Sequence, residues 1–259
     1  TLLLFLTQGL LVSAQRSEEQ DSRSQRKAER RERINRLLKQ QEEGELVFNR
    51  QSVFGFKMNT DGYGFSYEFG KYQSNRKTLL FQFEFNEKKH AKEKKLSLYD
   101  FYGFSNIIFG KENNFYQAKL GVAQQTRIGG KGNKNGVMVS GIYGGGISMG
   151  LMKPYYVSVE ADGGGDVFRS TFPKIIDSNY NIIGAAGSLV GWKDVKINPG
   201  AHAKAALRFD YGRFNETVTG IEVGVMAEYY SKKVPQLSYV QQKNYFFNAY
   251  ISFIFGRRR

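Results

Sequence analysis

His90 and His202 are the only imidazoles in this chain of 259 residues, and it contains no cysteine. Thiolate nucleophiles, disulfide scaffolds, zinc ribbons and lipid-modified cysteines are thereby excluded. His202 begins one extended segment and Asp162 ends the preceding one. If those segments pair, the two side chains form an Asp-His pair of the kind that activates a water. The glycine-rich pieces GGKGN (129–133) and GGGD (163–166) contain neither a GxGxxG nor a Walker arrangement, and they read as loop tips. The expectation is a protein with no catalytic residue, no metal and no cofactor.

Cations are abundant. The formal charge is +14, a field that attracts polyanions. Its densest cluster is Lys88, Lys89, Lys92, Lys94 and Lys95, which precedes Tyr99 without interleaved aromatics. Nucleic-acid grooves interleave cations with stacking rings. Nucleic acid is therefore not the expected partner.

The elements that must position these groups have a period of two. Leu79, Phe81, Phe83 and Phe85 alternate with Leu80, Gln82, Glu84 and Asn86. Tyr63, Phe65, Tyr67 and Phe69 alternate with Gly64, Ser66, Glu68 and Gly70, and the rule recurs over 155–162, 201–211 and 221–229. Ten strands are predicted: 51–59, 62–71, 78–87, 99–110, 115–127, 137–152, 155–162, 201–212, 217–231 and 243–256. Most exceed the usual soluble strand and match the ~9 to 11 residues that a tilted strand needs to cross a bilayer. Hydrocarbon tolerates no open sheet edge, so such strands must close into a transmembrane β-barrel, apolar outside and polar within. The expected lumen-facing charges are Lys57, Glu68, Glu84, Lys119, Glu160, Lys204, Arg208, Asp210, Glu222 and Glu228. Acids and bases fall on neighbouring strands, so a bore filled by paired charges is predicted. Tyr63, Tyr99, Tyr155, Tyr211, Tyr229 and Tyr245 suit interfacial girdles. The glycines of YGGGISMG (143–150) are expected to relieve crowding inside a strand. Short connections after strands 2, 4, 6 and 8, including KENN and Lys153-Pro154, are expected at the periplasmic end with both termini. The longer ones, above all 163–200, are expected at the cell surface, and the lysine cluster, which falls in the one after strand 3, is expected to meet lipopolysaccharide phosphate there.

Ahead of the barrel (46–259) lie two segments of other composition. Residues 1–14 form an uncharged apolar run ending in Val12-Ser13-Ala14, which reads as the remnant of a secretory signal peptide. Residues 15–45 carry nine Lys or Arg and eight Asp or Glu at helical spacings, with Ile34, Leu37 and Leu38 as a narrow apolar stripe. This segment is expected to be a periplasmic helix or tether, with the stripe as its partner-facing surface.

A Gln at position 15, glycine-rich alternating aromatic strands and a final strand YFFNAYISFIFG together resemble the small outer-membrane β-barrel proteins of Bacteroidota. The final strand is similar to the aromatic signal read by barrel-assembly machinery, although it continues into Arg257-Arg258-Arg259. The pair Asp162 and His202 is similar to that of the ten-stranded omptin proteases, a resemblance that implies an activated water and a second acidic half drawn from Asp166 or another residue. Three readings follow from different classes. The first is a non-enzymatic accessory subunit of an envelope secretion or outer-membrane-assembly machine. The others are a narrow, porin-like channel for small solutes and an omptin-like surface protease.

Overall fold

Alternation at this length requires a hydrogen-bonding partner for both edges of every strand, and the chain supplies it by closing on itself. The computed structural model describes residues 29–32, 48–74, 76–100, 103–130, 136–161, 165–176, 178, 180–212 and 216–259. Its strands, in chain order, are β1 (Arg50–Asn59), β2 (Gly62–Tyr72), β3 (Lys77–Lys88), β4 (Lys95–Asp100), β5 (Gly103–Ile108), β6 (Asn113–Gly129) and β7 (Met138–Pro154). They continue with β8 (Tyr156–Ala161), β9 (Phe168–Thr171), β10 (Tyr180–Ala185), β11 (Lys196–Asp210), β12 (Thr217–Val234) and β13 (Lys243–Arg258). The apolar run 1–14, expected to be a signal peptide remnant, and the stripe Ile34, Leu37 and Leu38 lie outside the described residues. Within 15–45 only 29–32 are described, and they are helical.

Eight strands form one closed antiparallel barrel in the order β1-β13-β12-β11-β7-β6-β3-β2. β1 seals the seam by pairing with β2 on one side and β13 on the other, in the register Gln51↔Gly70 and Gln51↔Arg258. The ten-strand expectation is thus corrected to eight. The predicted strand 99–110 is a hairpin of β4 and β5, and 155–162 is β8, which pairs with β9 and β10 in a separate sheet. At six residues each, β4, β5 and β8 are too short to cross a bilayer. They alternate because a small sheet with one covered face needs the same pattern. Val157, Val159, Phe172 and Ile175 form that sheet's own core, closed by the helical turn α1 (Phe172–Ile175).

Losing two strands also moves three connections to the other end. β1 leaves, and β13 arrives at, what we call the terminal end, where β2 passes to β3, β6 to β7 and β11 to β12; the β6–β7 connection is expected at the cell surface and is corrected to this end. KENN and Lys153-Pro154, expected there, sit at the opposite loop end, beside the links 89–112, 155–195 and 235–242. The link expected over 163–200 is not plain loop, since it carries β9, α1 and β10, and β11 begins at Lys196.

Outside, the barrel wall is apolar. Phe54 (64% exposed), Phe247 (72%), Ile147, Leu120, Phe253 and Phe255 point away from the bore. An exposed apolar surface of this extent marks an interface with something other than water. Tyr63, Tyr211, Tyr229 and Tyr245 are also exposed on this wall. Tyr155 is not part of any girdle: it is half-buried in the β7–β8 link, where its hydroxyl accepts the Ile108 N–H at 3.3 Å. Tyr99 lies in β4, off the barrel.

Candidate functional site

An eight-stranded barrel has an interior just wide enough for side chains to fill. Its inward positions here are occupied by layers that the strand phase dictates. At the terminal end, Arg258 pairs with Asp210, and Gln51 donates to Gln125 at 3.0 Å. Above them lies an apolar layer of Val53, Val218 and Ile254 together with Leu80, Ala123 and Ile142.

The central layer is a charge knot. Arg208 and Glu222 are register partners on β11 and β12, and the Arg208 Nε donates to Glu222 at 2.9 Å. The same guanidinium reaches Glu68 on β2, four strands away around the barrel, so this pair spans the bore. Lys204 lies 3.1 Å from Glu84 and 3.8 Å from both Glu68 and Glu222. Lys57 pairs with Glu84 at 2.7 Å and stands 4.1 Å above the Tyr250 ring. The Tyr250 hydroxyl donates to Glu222 (2.7 Å), and the Gln82 amide donates to Glu68 (2.6 Å). Each of these charges is at most 5% exposed. Burying an ion this deeply is costly unless a counter-ion and further hydrogen bonds compensate it; the knot gives every charge a counter-ion, while Glu84 Oε2 and Arg208 Nη1 lack a hydrogen-bond partner among the described residues.

Toward the loop end, Glu228 is the hub. It accepts from Lys119, from Lys88 (2.8 Å) and from the Gln117 amide (2.8 Å). Lys88 sits diametrically across the bore from Glu228 and also pairs with Asp61 at 2.8 Å. Over this layer Phe115, Tyr230 and Phe246 pack with Met152 and Val234, with ring centroids 5.3–6.0 Å apart. Gly150 makes room for that aromatic group, because a Cβ there would lie 2.7 Å from the Phe115 ring. Gly146 serves strand approach instead: its Cβ would meet the Leu120 carbonyl at 2.0 Å.

The structure brings Lys57, Glu68, Glu84, Lys119, Lys204, Arg208, Asp210, Glu222 and Glu228 together inside the barrel. Glu160 is corrected, because it belongs to β8 and lies off the barrel. Lys88 is corrected as well: expected in the surface basic loop, it is the last inward residue of β3 and is buried. Lys92, Lys94 and Lys95 are exposed in and beside the β3–β4 link, and Lys89 lies 5.0 Å from the Tyr63 ring. Lys88, Tyr230 and Arg258 are interior groups that the sequence reading assigned elsewhere or passed over. Their even spacing from Glu84, Glu228 and Ser252 carried the signal.

His202 does not stand at a lip. It is buried in β11, with its Nδ1 2.9 Å from the Ser148 hydroxyl. Asp162 lies outside the described residues, and Asp166 is exposed in the β8–β9 link. His90, in the β3–β4 link, accepts the Lys92 N–H at 3.1 Å, and partial burial pushes its pKa down. No group of three potential metal ligands occurs among the described residues.

No family model matches this chain, and no curated protein does. Among solved structures it is similar to Neisserial surface protein A (TM-score 0.38, 11% identity, 81% of this chain and 96% of that one). It is also similar to Ail, the attachment invasion locus protein of Yersinia pestis, in complex with the heparin analogue sucrose octasulfate (TM-score 0.37, 10% identity, 82% and 100%). The N-terminal β-barrel domain of Pseudomonas aeruginosa OprF is a further similar chain (TM-score 0.35, 10% identity, 80% and 98%).

Proposed function

We propose that this chain is a non-enzymatic integral barrel of the outer membrane, closed to ions. In this reading it serves as an accessory subunit of an envelope protein-secretion or outer-membrane-assembly machine. The observation that carries the reading is the inversion of the barrel: aromatic and aliphatic groups face outward and ion pairs face inward, as a lipid solvent demands. The Arg208–Glu68 and Lys88–Glu228 pairs span the bore, and the Phe115, Tyr230 and Phe246 rings lie over it. Closure of the lumen, rather than conduction, follows from that arrangement.

What remains for interaction is the material at the loop end, the β4–β5 hairpin and the β8–β9–β10 sheet. With the terminal end in the periplasm, these elements stand at the cell surface. Lys92, Lys94 and Lys95 then meet lipopolysaccharide phosphate, and Trp192 and Leu189 are exposed for a protein partner. Planar-bilayer recording of the purified protein tests closure. No unitary current is expected, and steady open-state conductance would establish the channel reading in its place. Gentle detergent extraction followed by affinity isolation tests the subunit role, with stoichiometric envelope proteins as the expected result. Recovery of the barrel alone would defeat that role.

A further inference from the structure

On the outer wall at the terminal end, three adjacent strands change character at the same levels. Phe255 of β13, Phe54 of β1 and Tyr67 of β2 form one outward row, joined by the registers Phe54↔Phe255 and Phe54↔Tyr67. The Phe54 and Tyr67 ring centroids are 4.8 Å apart. One outward position further along β13 and β2 come Arg257 and Phe69, both paired with Ser52 of β1. The next row is entirely cationic: Arg50 pairs with Lys71 on one side and exchanges backbone hydrogen bonds of 2.8 Å with Arg259 on the other. All three of these side chains are exposed.

Like charges placed directly opposite on neighbouring strands repel. Among the described residues the nearby acids engage other groups: Glu216 binds Arg257 at 3.3 Å, and Asp210 binds Arg258 inside the bore. Successive outward positions on a strand are separated by about 7 Å. The cationic row therefore stands about 14 Å beyond the aromatic one along the strands, which is roughly 11 Å along the barrel axis for a strand tilt of about 40°.

We propose that Arg259, Arg50 and Lys71 bind the phosphodiester headgroup of an anionic phospholipid whose acyl chains lie along Phe255, Phe54 and Tyr67. The site rests on the reading that this band of the barrel is embedded in a membrane.

The test uses the full chain in mixed micelles of phosphatidylglycerol and phosphatidylcholine, with bound lipid counted by native mass spectrometry. The wild type is expected to retain phosphatidylglycerol with a preference of about tenfold, weakened by salt. The triple variant Arg50→Gln, Lys71→Gln, Arg259→Gln is expected to bind both lipids equally, whereas Arg169→Gln, Lys174→Gln, Lys193→Gln, which removes three exposed cations off the barrel, keeps the preference. Lys71→Gln alone, the mildest change to the fold, is expected to reduce it about threefold. An excess of inorganic phosphate should leave the bound lipid in place. Displacement by phosphate, or a triple variant with the wild-type preference, would overturn the site. Heat-modifiable gel migration separates the two ideas. A heat-modifiable wild type without lipid preference sinks the site alone, and a wild type that does not shift sinks the membrane reading with it.

Discussion

Inside the barrel each cation of the described network, from Lys57 to Arg258, faces a carboxylate, while on the outer wall at the terminal end Arg259, Arg50 and Lys71 face one another. The contrast reflects what can reach each place. Nothing from outside can neutralise a charge sealed within the bore, so the sequence itself must provide every counter-ion, at the right phase on the right strand. The outer rim is open to its surroundings, and a row of like charges there costs little until a ligand of opposite sign offsets it.

The sharpest way to break this comparison is to remove an interior partner. Arg208→Ala leaves Glu68 and Glu222 buried without their shared cation, and a loss of ~3–5 kcal/mol is expected in denaturant unfolding from lipid or micelle. An unchanged midpoint would mean that water enters the knot. A smaller effect is expected from Tyr230→Phe, which keeps the ring packing but removes the hydroxyl that accepts from Gln117 at 2.7 Å. About 1–3 kcal/mol should be lost, because Gln117 stays buried with one bond fewer.

On the outer wall the sign of the effect should reverse. Lys71→Glu places a carboxylate opposite Arg50, so stability in neutral detergent is expected to rise by no more than ~1 kcal/mol while phosphatidylglycerol retention falls. A charge substitution that stabilises the fold and weakens binding would separate the two regions cleanly. The smallest effect belongs to the loop end. Tyr156 donates to Asp194 at 2.9 Å, and that bond raises the phenol's pKa. Asp194→Asn should bring the titration back down toward the ordinary tyrosine value in an ultraviolet pH titration, with barrel stability unchanged.

Much of this was legible in the residues, and the failures have a common cause. Alternation reports that a strand has one covered face, and from Phe81 or Val223 it correctly indicates which side chains point outward. It does not report which sheet the strand joins. Tyr156–Ala161 alternates as cleanly as β12, yet it covers Phe172 and Ile175 in a sheet of its own, and Glu160 went with it. Length would have separated them, since the barrel strands run from 10 to 18 residues and the strands of the accessory sheets from 4 to 6. The Ser148–His202 contact was illegible because it joins β7 to β11 across the whole 155–195 link, and no local spacing encodes it.

The seam between β1 and β13 has a consequence for how the molecule comes into being. The two strands whose pairing completes the cylinder are separated by more of the sequence than any other neighbours in it, so closure is the slowest kind of contact to form. Until residues 243–258 arrive, β1 is a bare edge and the charge knot lacks the Tyr250 hydroxyl. A growing chain thus has no stable half-barrel at which to stop, and it must be kept extended and shielded from its neighbours until its final strand is in place.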